Sequence, residues 1–262
     1  MLEFARYDGR KRLRGSLVMA AGLAGFAALI VWVYPSFSAM DNIDQFVEAY
    51  PEPLIEAFGI RSLTTIGGFL ATEIYSFGWV ILLGLYFAYA AASIVAGDVE
   101  DERMDMLLSL PVSRVRLVGE RFAALGVPLL VVNVVTPVVV YAGVQFVDAS
   151  IDAADLVAVH ALSVPYLLAC AAIGLVFSVV LSRESTAQRA ALGSVFGLFL
   201  LESALASTDL EWLGALTPMR YYDPTAVLVD GQYDLQGATV LLGATAVLLA
   251  GALLLFRRKD IQ

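Results

Sequence analysis

A run of acidic residues with helical spacing follows a long apolar segment near the middle of the chain. The four acids recur at positions i, i+3, i+4 and i+7: Asp98, Asp101, Glu102 and Asp105. This spacing places four carboxylates on one face of a helix, and Met104, Leu107 and Leu108 lie on another face. Helices that rest on membranes carry Lys and Arg on their polar face, whereas this face would be repelled by anionic lipid. The pattern favours docking of a basic protein partner over a passive surface helix, and both interpretations stay open.

The ends of this amphipathic segment can also be predicted. Pro111 excludes the residue before it from the α conformation, so the helix is expected over 98–110. Ser113 can accept backbone N–H bonds and begin a second helix, which carries Arg114 and Arg121 into the next apolar segment.

Ionisable residues within apolar segments would suggest ion-coupled transport. Glu73 lies about 23 residues from Ala96, or ~35 Å along a helix, which places it at the outer interface. Glu202 is deeper, and it either lines a pathway or bonds to a neighbouring helix. His160 and Ser163 are three residues apart, a spacing that we interpret as structural rather than catalytic.

The residues needed for several kinds of catalysis are absent. Neither lysine follows a glycine, so there is no Walker A phosphate loop, and no G-x-S-x-G sequence occurs. The single histidine and the single cysteine, Cys170, exclude a two-histidine zinc site and an intrachain disulfide. We therefore predict no catalytic, cofactor-binding or metal-binding residues, and no enzymatic activity in this chain.

The composition identifies the class of protein that must position these residues. Of the 262 residues 60% are hydrophobic and 16% are charged, and the mean hydropathy is +0.79. Soluble domains are about 45–50% apolar and about 25% charged, so a polytopic membrane protein is predicted. The net charge is -9, with very few lysines. This balance is typical of proteins adapted to high salt, and we expect a halophilic source.

Six segments are long and apolar enough to cross a bilayer, which takes about 20 residues. They lie at about 17–34, 69–96, 122–147, 156–181, 190–206 and 237–256. Only helices satisfy their own backbone groups within lipid, so an all-α bundle is expected. No linker divides the chain, and we predict one domain over residues 1–262.

The distribution of basic residues predicts the orientation of the bundle. Of the 16 Lys and Arg residues, all except Arg61 and Arg220 fall in the two end segments or between spans two and three or four and five. The positive-inside rule then places both termini in the cytoplasm, which requires an even number of spans. The basic segment before the first span is assigned to topology rather than to nucleic-acid binding.

Two stretches resemble a known family. Residues 100–114, EDERMDMLLSLPVSR, are similar to the signature of type-2 ABC (ATP-binding cassette) transporter permeases between spans two and three. Residues 216–231, LTPMRYYDPTAVLVDG, are similar to the segment before that family's last span. The resemblance covers essentially the whole chain.

The resemblance implies a multi-pass permease subunit of an ATP-driven transporter in the cell membrane, in most cases an exporter. A separate ABC ATPase subunit would bind ATP and Mg²⁺, and two permease subunits would pair as a homodimer or a heterodimer. The 98–110 segment would be a coupling helix seated on the ATPase. The residues assigned to this contact are Asp98, Glu102, Met104, Asp105, Leu107, Leu108, Pro111 and Arg114. Segment 207–236 would form short helices at the outer mouth, with bends at Pro218, Tyr222 and Pro224.

Two other functions remain as alternatives. An ATP-independent secondary transporter would depend on Glu202. A non-transport membrane scaffold would recruit a cytoplasmic protein through the 98–110 segment.

Overall fold

The computed structural model describes residues 3–40, 55, 63–104, 106, 113–205 and 208–258. Within these residues the fold is built from six long helices and one short helix, α6, and contains no strand. In chain order they are α1 (Glu3–Ser38), α2 (Ile66–Glu100), α3 (Arg114–Phe146), α4 (Ala153–Val180), α5 (Glu184–Leu205), α6 (Pro224–Leu228) and α7 (Leu235–Arg258). The all-α prediction is confirmed.

Five of the six long helices are long and apolar enough to cross a membrane: α1, α2, α3, α4 and α7. The protein is therefore a multi-pass membrane protein. The remaining helix, α5, has 22 residues but also carries Glu184, Arg189 and Glu202. Its length suits a membrane crossing, but α5 is not among the five helices with a sufficiently apolar stretch.

Two of the long helices are not uniform. In α2, residues Ala71–Leu83 form a π-helix, and the flanking segments Ile66–Leu70 and Gly84–Glu100 are α-helical. Such i→i+5 segments are rare and are usually a single turn. In α3, the segment Arg114–Ala123 meets the segment Gly126–Phe146 at a short turn.

Short polar side chains begin several helices by accepting otherwise unpaired backbone N–H groups. The Ser113 side chain accepts from the N–H of Arg116 at 3.3 Å, which confirms the predicted start of α3. Asp152 accepts from Ala154 at 2.7 Å at the start of α4. Asp223 caps α6, whose first residue is Pro224.

Helix α4 lies at the centre of the bundle, where it packs against α2, α3, α5 and α7, while α1 packs mainly on α3. Helices α2 and α4 approach each other closely at Gly174. A Cβ atom added at Gly174 would lie only 2.0 Å from the carbonyl oxygen of Ala88. Small residues allow membrane helices to approach this closely. The central α2–α4 contact therefore depends on a missing side chain.

Replacing Gly174 by Ala should separate α2 from α4 and lower stability by about 1–3 kcal/mol, the usual cost of overpacking. The measurement is the midpoint of thermal unfolding of the purified protein in detergent. Gly193→Ala is the matched control, because a Cβ there meets nothing within 4 Å. An equal loss of stability in both variants would contradict this account of the contact.

Candidate functional site

A buried carboxylate joins three helices at the end of α2. Asp98 lies in the last turn of α2 and is 5% exposed. Its carboxylate forms an ion pair with Arg121 of α3. The Arg121 guanidinium also donates to the carbonyl oxygen of Ile94 at 3.1 Å and lies 3.5 Å from the Asp8 carboxylate of α1. A buried charge is stable only when it is paired, so this ion cluster holds the ends of α1, α2 and α3 together.

The end of α2 has a defined cap. Glu102 has a positive φ of 55°, the Glu102 N–H donates to the carbonyl of Val99, and the Arg103 N–H donates to the carbonyl of Asp98. These are the two bonds of a Schellman motif, with Glu102 at the position that glycine usually takes. The hydrophobic contact that usually accompanies the motif is replaced by an ion pair, in which Arg103 Nη2 lies 3.3 Å from Asp98 Oδ1.

This cap corrects the prediction of one continuous helix over 98–110. Residues 98–100 belong to α2, and the left-handed conformation of Glu102 ends that helix. Asp98 therefore does not share an exposed acidic face with Glu102. The helical spacing of the acids did not predict which of them are exposed. Asp98 is buried in its ion pairs with Arg103 and Arg121.

The two methionines of the following segment lie in opposite environments. Met104 is 2% exposed and packs into the hydrophobic core of this chain, so it is not available to fill a groove on a partner. Met106 is 71% exposed. The remaining residues expected at this contact, Asp105, Leu107, Leu108 and Pro111, lie outside the described residues.

The far end of the same segment is also attached. The Arg114 guanidinium at the start of α3 donates to the carbonyl oxygen of Phe256 in α7 at 3.4 Å and lies 5.8 Å from the centre of the Phe256 ring. The Glu100 carboxylate accepts the backbone N–H of Glu184 at 2.7 Å, where a negative charge stabilises the first turn of α5. The segment 101–113 is thus tied at both ends to the helical bundle.

Glu202 does not stand alone within the bundle. It accepts a hydrogen bond from the Thr217 hydroxyl at 2.5 Å and lies 3.7 Å from Nη1 of Arg220. Arg220 also pairs with Glu211 at 2.7 Å. The structure therefore shows Glu202 bonded to a neighbouring segment, and its role in lining a pathway stays a prediction. Thr217 and Arg220 were missed in the sequence, although Arg220 is one of two basic residues on the predicted outer side.

The residues expected to bend the segment between α5 and α7 lie at the ends of short helices. Pro218 precedes the 3₁₀ turn Met219–Tyr221, and Pro224 begins α6. Tyr222 is buried between them, and its hydroxyl donates to the carbonyl oxygen of Val159 in α4 at 3.0 Å. Burial raises the pKa of the Tyr222 hydroxyl well above its usual value, so it remains a neutral donor.

A second buried polar cluster connects α2, α3 and α4. Asn133 Oδ1 accepts from Trp79 at 3.3 Å and from Ser163 at 3.0 Å, and lies 2.9 Å from His160 Nδ1. Because this oxygen carries no proton, we assign the proton to Nδ1, which leaves His160 Nε2 to accept from Tyr75 at 3.0 Å. Both ring nitrogens are occupied in this way. The arrangement supports a structural role for His160, and Asn133 was missed because a lone Asn in an apolar segment gives no local signal.

The chain matches the protein-family model described as ABC-2 family transporter protein over residues 5–261. The match covers nearly the whole chain. The chain belongs to the ABC-2 transporter family. This confirms the resemblance to type-2 ABC permeases. No curated protein matches the chain.

Membership defines the general role of this ABC-2 protein. The family is a membrane component of transport and is not itself catalytic. The ion cluster therefore lies in a membrane transport component, at the end of α2.

In the ion cluster of this ABC-2 protein, the stability losses of two single substitutions should sum to more than the loss in the double variant. Among the described residues, Asp98→Asn leaves Arg121 with only Asp8 at 3.5 Å, and Arg121→Gln leaves Asp98 with only Arg103 at 3.3 Å. Each loss of the main partner should cost up to about 3–5 kcal/mol. The double variant leaves neither charge, so its loss of stability should be smaller than the sum of the two single losses. Thermal unfolding in detergent measures all three values.

The control for this cycle is Glu211→Gln, which breaks the more exposed ion pair with Arg220 and should cost no more than about 1 kcal/mol. If the losses of the single variants simply add in the double variant, Asp98 and Arg121 do not stabilise each other.

Proposed function

We propose that this ABC-2 protein is the membrane-spanning subunit of an ATP-driven exporter and that a separate ABC ATPase subunit docks on the segment after α2. The observation that carries the proposal is the Asp98–Arg121 ion cluster. A force applied to the docked segment reaches α1, α2 and α3 together, because their ends are joined by the paired charges of Asp8, Asp98 and Arg121.

The attachment of the segment 101–113 at both ends supports transmission of force rather than simple recruitment. Its first end is fixed by Asp98, and its second end is fixed by Arg114 against α7. Glu100 extends the same connection to α5. A displacement of the two ends of the segment would therefore reach several helices of the bundle through these contacts.

The surface proposed for docking is smaller than the sequence pattern suggested. Asp101 and Glu102 are exposed acids, and Met106 is an exposed apolar side chain beside them. Leu107 and Leu108 complete the proposed contact, together with Asp105. Basic residues on the ATPase would pair with the acids, and an apolar groove would accept the Met and Leu side chains.

The proposal includes the topology and the partners. The chain crosses the plasma membrane six times, with α5 as the fifth span and both termini in the cytoplasm. Two copies, or one copy and a related subunit, form the pathway. The ATPase subunits bind ATP and Mg²⁺, since this sequence contains no Walker A loop. Export is favoured by the resemblance alone.

Replacing Leu107 and Leu108 with Asp should abolish co-purification of the ATPase while leaving membrane insertion intact, because two charges would enter an apolar contact. The tagged chain is isolated from membranes of its own organism, and an ATPase subunit is recognised by peptides that contain its Walker A sequence. Leu210→Asp/Leu216→Asp is the control. It makes the same change at residues that are 51% and 73% exposed on the segment between α5 and α7.

If the ATPase remains bound to the Leu107→Asp/Leu108→Asp variant, the segment is not the docking site. A secondary transporter would give a different result in vesicles that contain this chain alone. Uphill transport driven by a proton or sodium gradient, lost in Glu202→Gln, would contradict the proposal.

A further inference from the structure

A cavity of about 530 Å³ lies between the start of α1, the end of α2 and the start of α3. Four basic side chains line it: Lys11, Arg12, Arg103 and Arg121. Three acidic side chains also line it: Asp8, Asp98 and Glu184. Basic charges therefore outnumber acidic ones by one. The cavity is large enough for a small anionic group.

The acids of the cavity are already engaged. Asp98 pairs with Arg103 and Arg121, and Asp8 lies 3.5 Å from Arg121. Glu184 accepts a hydrogen bond from the Gln188 side chain at 2.9 Å. These acids therefore largely neutralise Arg103 and Arg121.

The two basic residues that α1 contributes to the cavity, Lys11 and Arg12, differ from these arginines in their surroundings. In the part of the chain that the structure describes, neither the Lys11 ammonium nor the Arg12 guanidinium has a carboxylate within ion-pair distance. Arg12 also lies near enough to Arg121 for the two like charges to repel each other. An anion between them would relieve this repulsion and supply the missing partner.

The position of the cavity along α1 matches the level of lipid headgroups. The exposed apolar side chains Leu17 and Val18 follow within about two turns of Lys11, or ~10 Å along the helix. The mouth of the cavity therefore lies just beyond the apolar band of the bundle. Basic pockets between membrane helices at this level suit phosphate headgroups.

We propose that this cavity binds a phosphate group through Lys11 and Arg12, carried by an anionic lipid headgroup or by a soluble phosphate ester. The bound phosphate would lie against Arg121 and so against the ion cluster that joins α1, α2 and α3. This site does not depend on docking of an ATPase, and it can be measured on the permease chain alone.

The test uses the purified, delipidated full chain in a nonionic detergent and native mass spectrometry to count bound molecules. The probes are dioleoylphosphatidylglycerol, dioleoylphosphatidylcholine with the same acyl chains, and glycerol phosphate. Lys11→Gln/Arg12→Gln should weaken phosphatidylglycerol binding at least tenfold, since each basic residue near a membrane surface contributes about 1 kcal/mol.

Arg10→Gln/Arg14→Gln is the matched control, because it removes the same charge from exposed residues of α1 that do not line the cavity. This control should bind phosphatidylglycerol within about twofold of the parent chain. Binding of phosphatidylglycerol but not of glycerol phosphate assigns the site to lipid, and comparable binding of glycerol phosphate assigns it to soluble esters.

Two results would overturn the inference. One is the absence of saturable binding of phosphatidylglycerol and glycerol phosphate to the parent chain. The other is an equal loss of binding in both double variants, which would show that only the overall charge of α1 matters. Thermal unfolding of each variant checks that the fold is unchanged.

Discussion

A carboxylate that leaves water must find a cation, and this requirement determines how one end of the bundle is assembled. Asp98 is buried where α2 ends, and Arg121 must approach from α3 to pair with it. Arg121 in turn lies beside Asp8 of α1. The end of each of these helices is thus held by a charged side chain of a neighbouring helix. Asp98 also takes part in the cap of α2, and Asp8, Asp98 and Arg121 line the cavity.

Much of the architecture could be read from the sequence because membrane helices obey simple local rules. Long apolar segments form helices since their backbone groups have no other partners in lipid. Within the described residues, each predicted span lies inside an observed helix or overlaps one almost completely. Ser113 was identified as a helix cap because its interaction is local, with a residue only three positions away.

The failures occurred where distant contacts outweighed local patterns. The acids at 98–105 have helical spacing, yet Asp98 pairs with a residue 23 positions away and Glu102 adopts a left-handed conformation. Met104 looks like part of an exposed apolar stripe but is buried in its own chain. The partners of His160 and Glu202 come from other helices or turns. Such contacts depend on how the helices pack, and the sequence of a single segment does not predict that packing.

Asp98 and Arg121 are 23 residues apart along the chain, and this has a consequence during biosynthesis. A ribosome adds about 5–20 residues per second, so Arg121 is made roughly 1–5 s after Asp98. Throughout that interval the new carboxylate has Arg103 as a nearby cation and must otherwise remain hydrated. The helix end therefore cannot reach its final burial until the nascent chain has delivered the start of α3. The residues between Asp98 and Arg121 are therefore synthesised before the ion pair between those two residues can form.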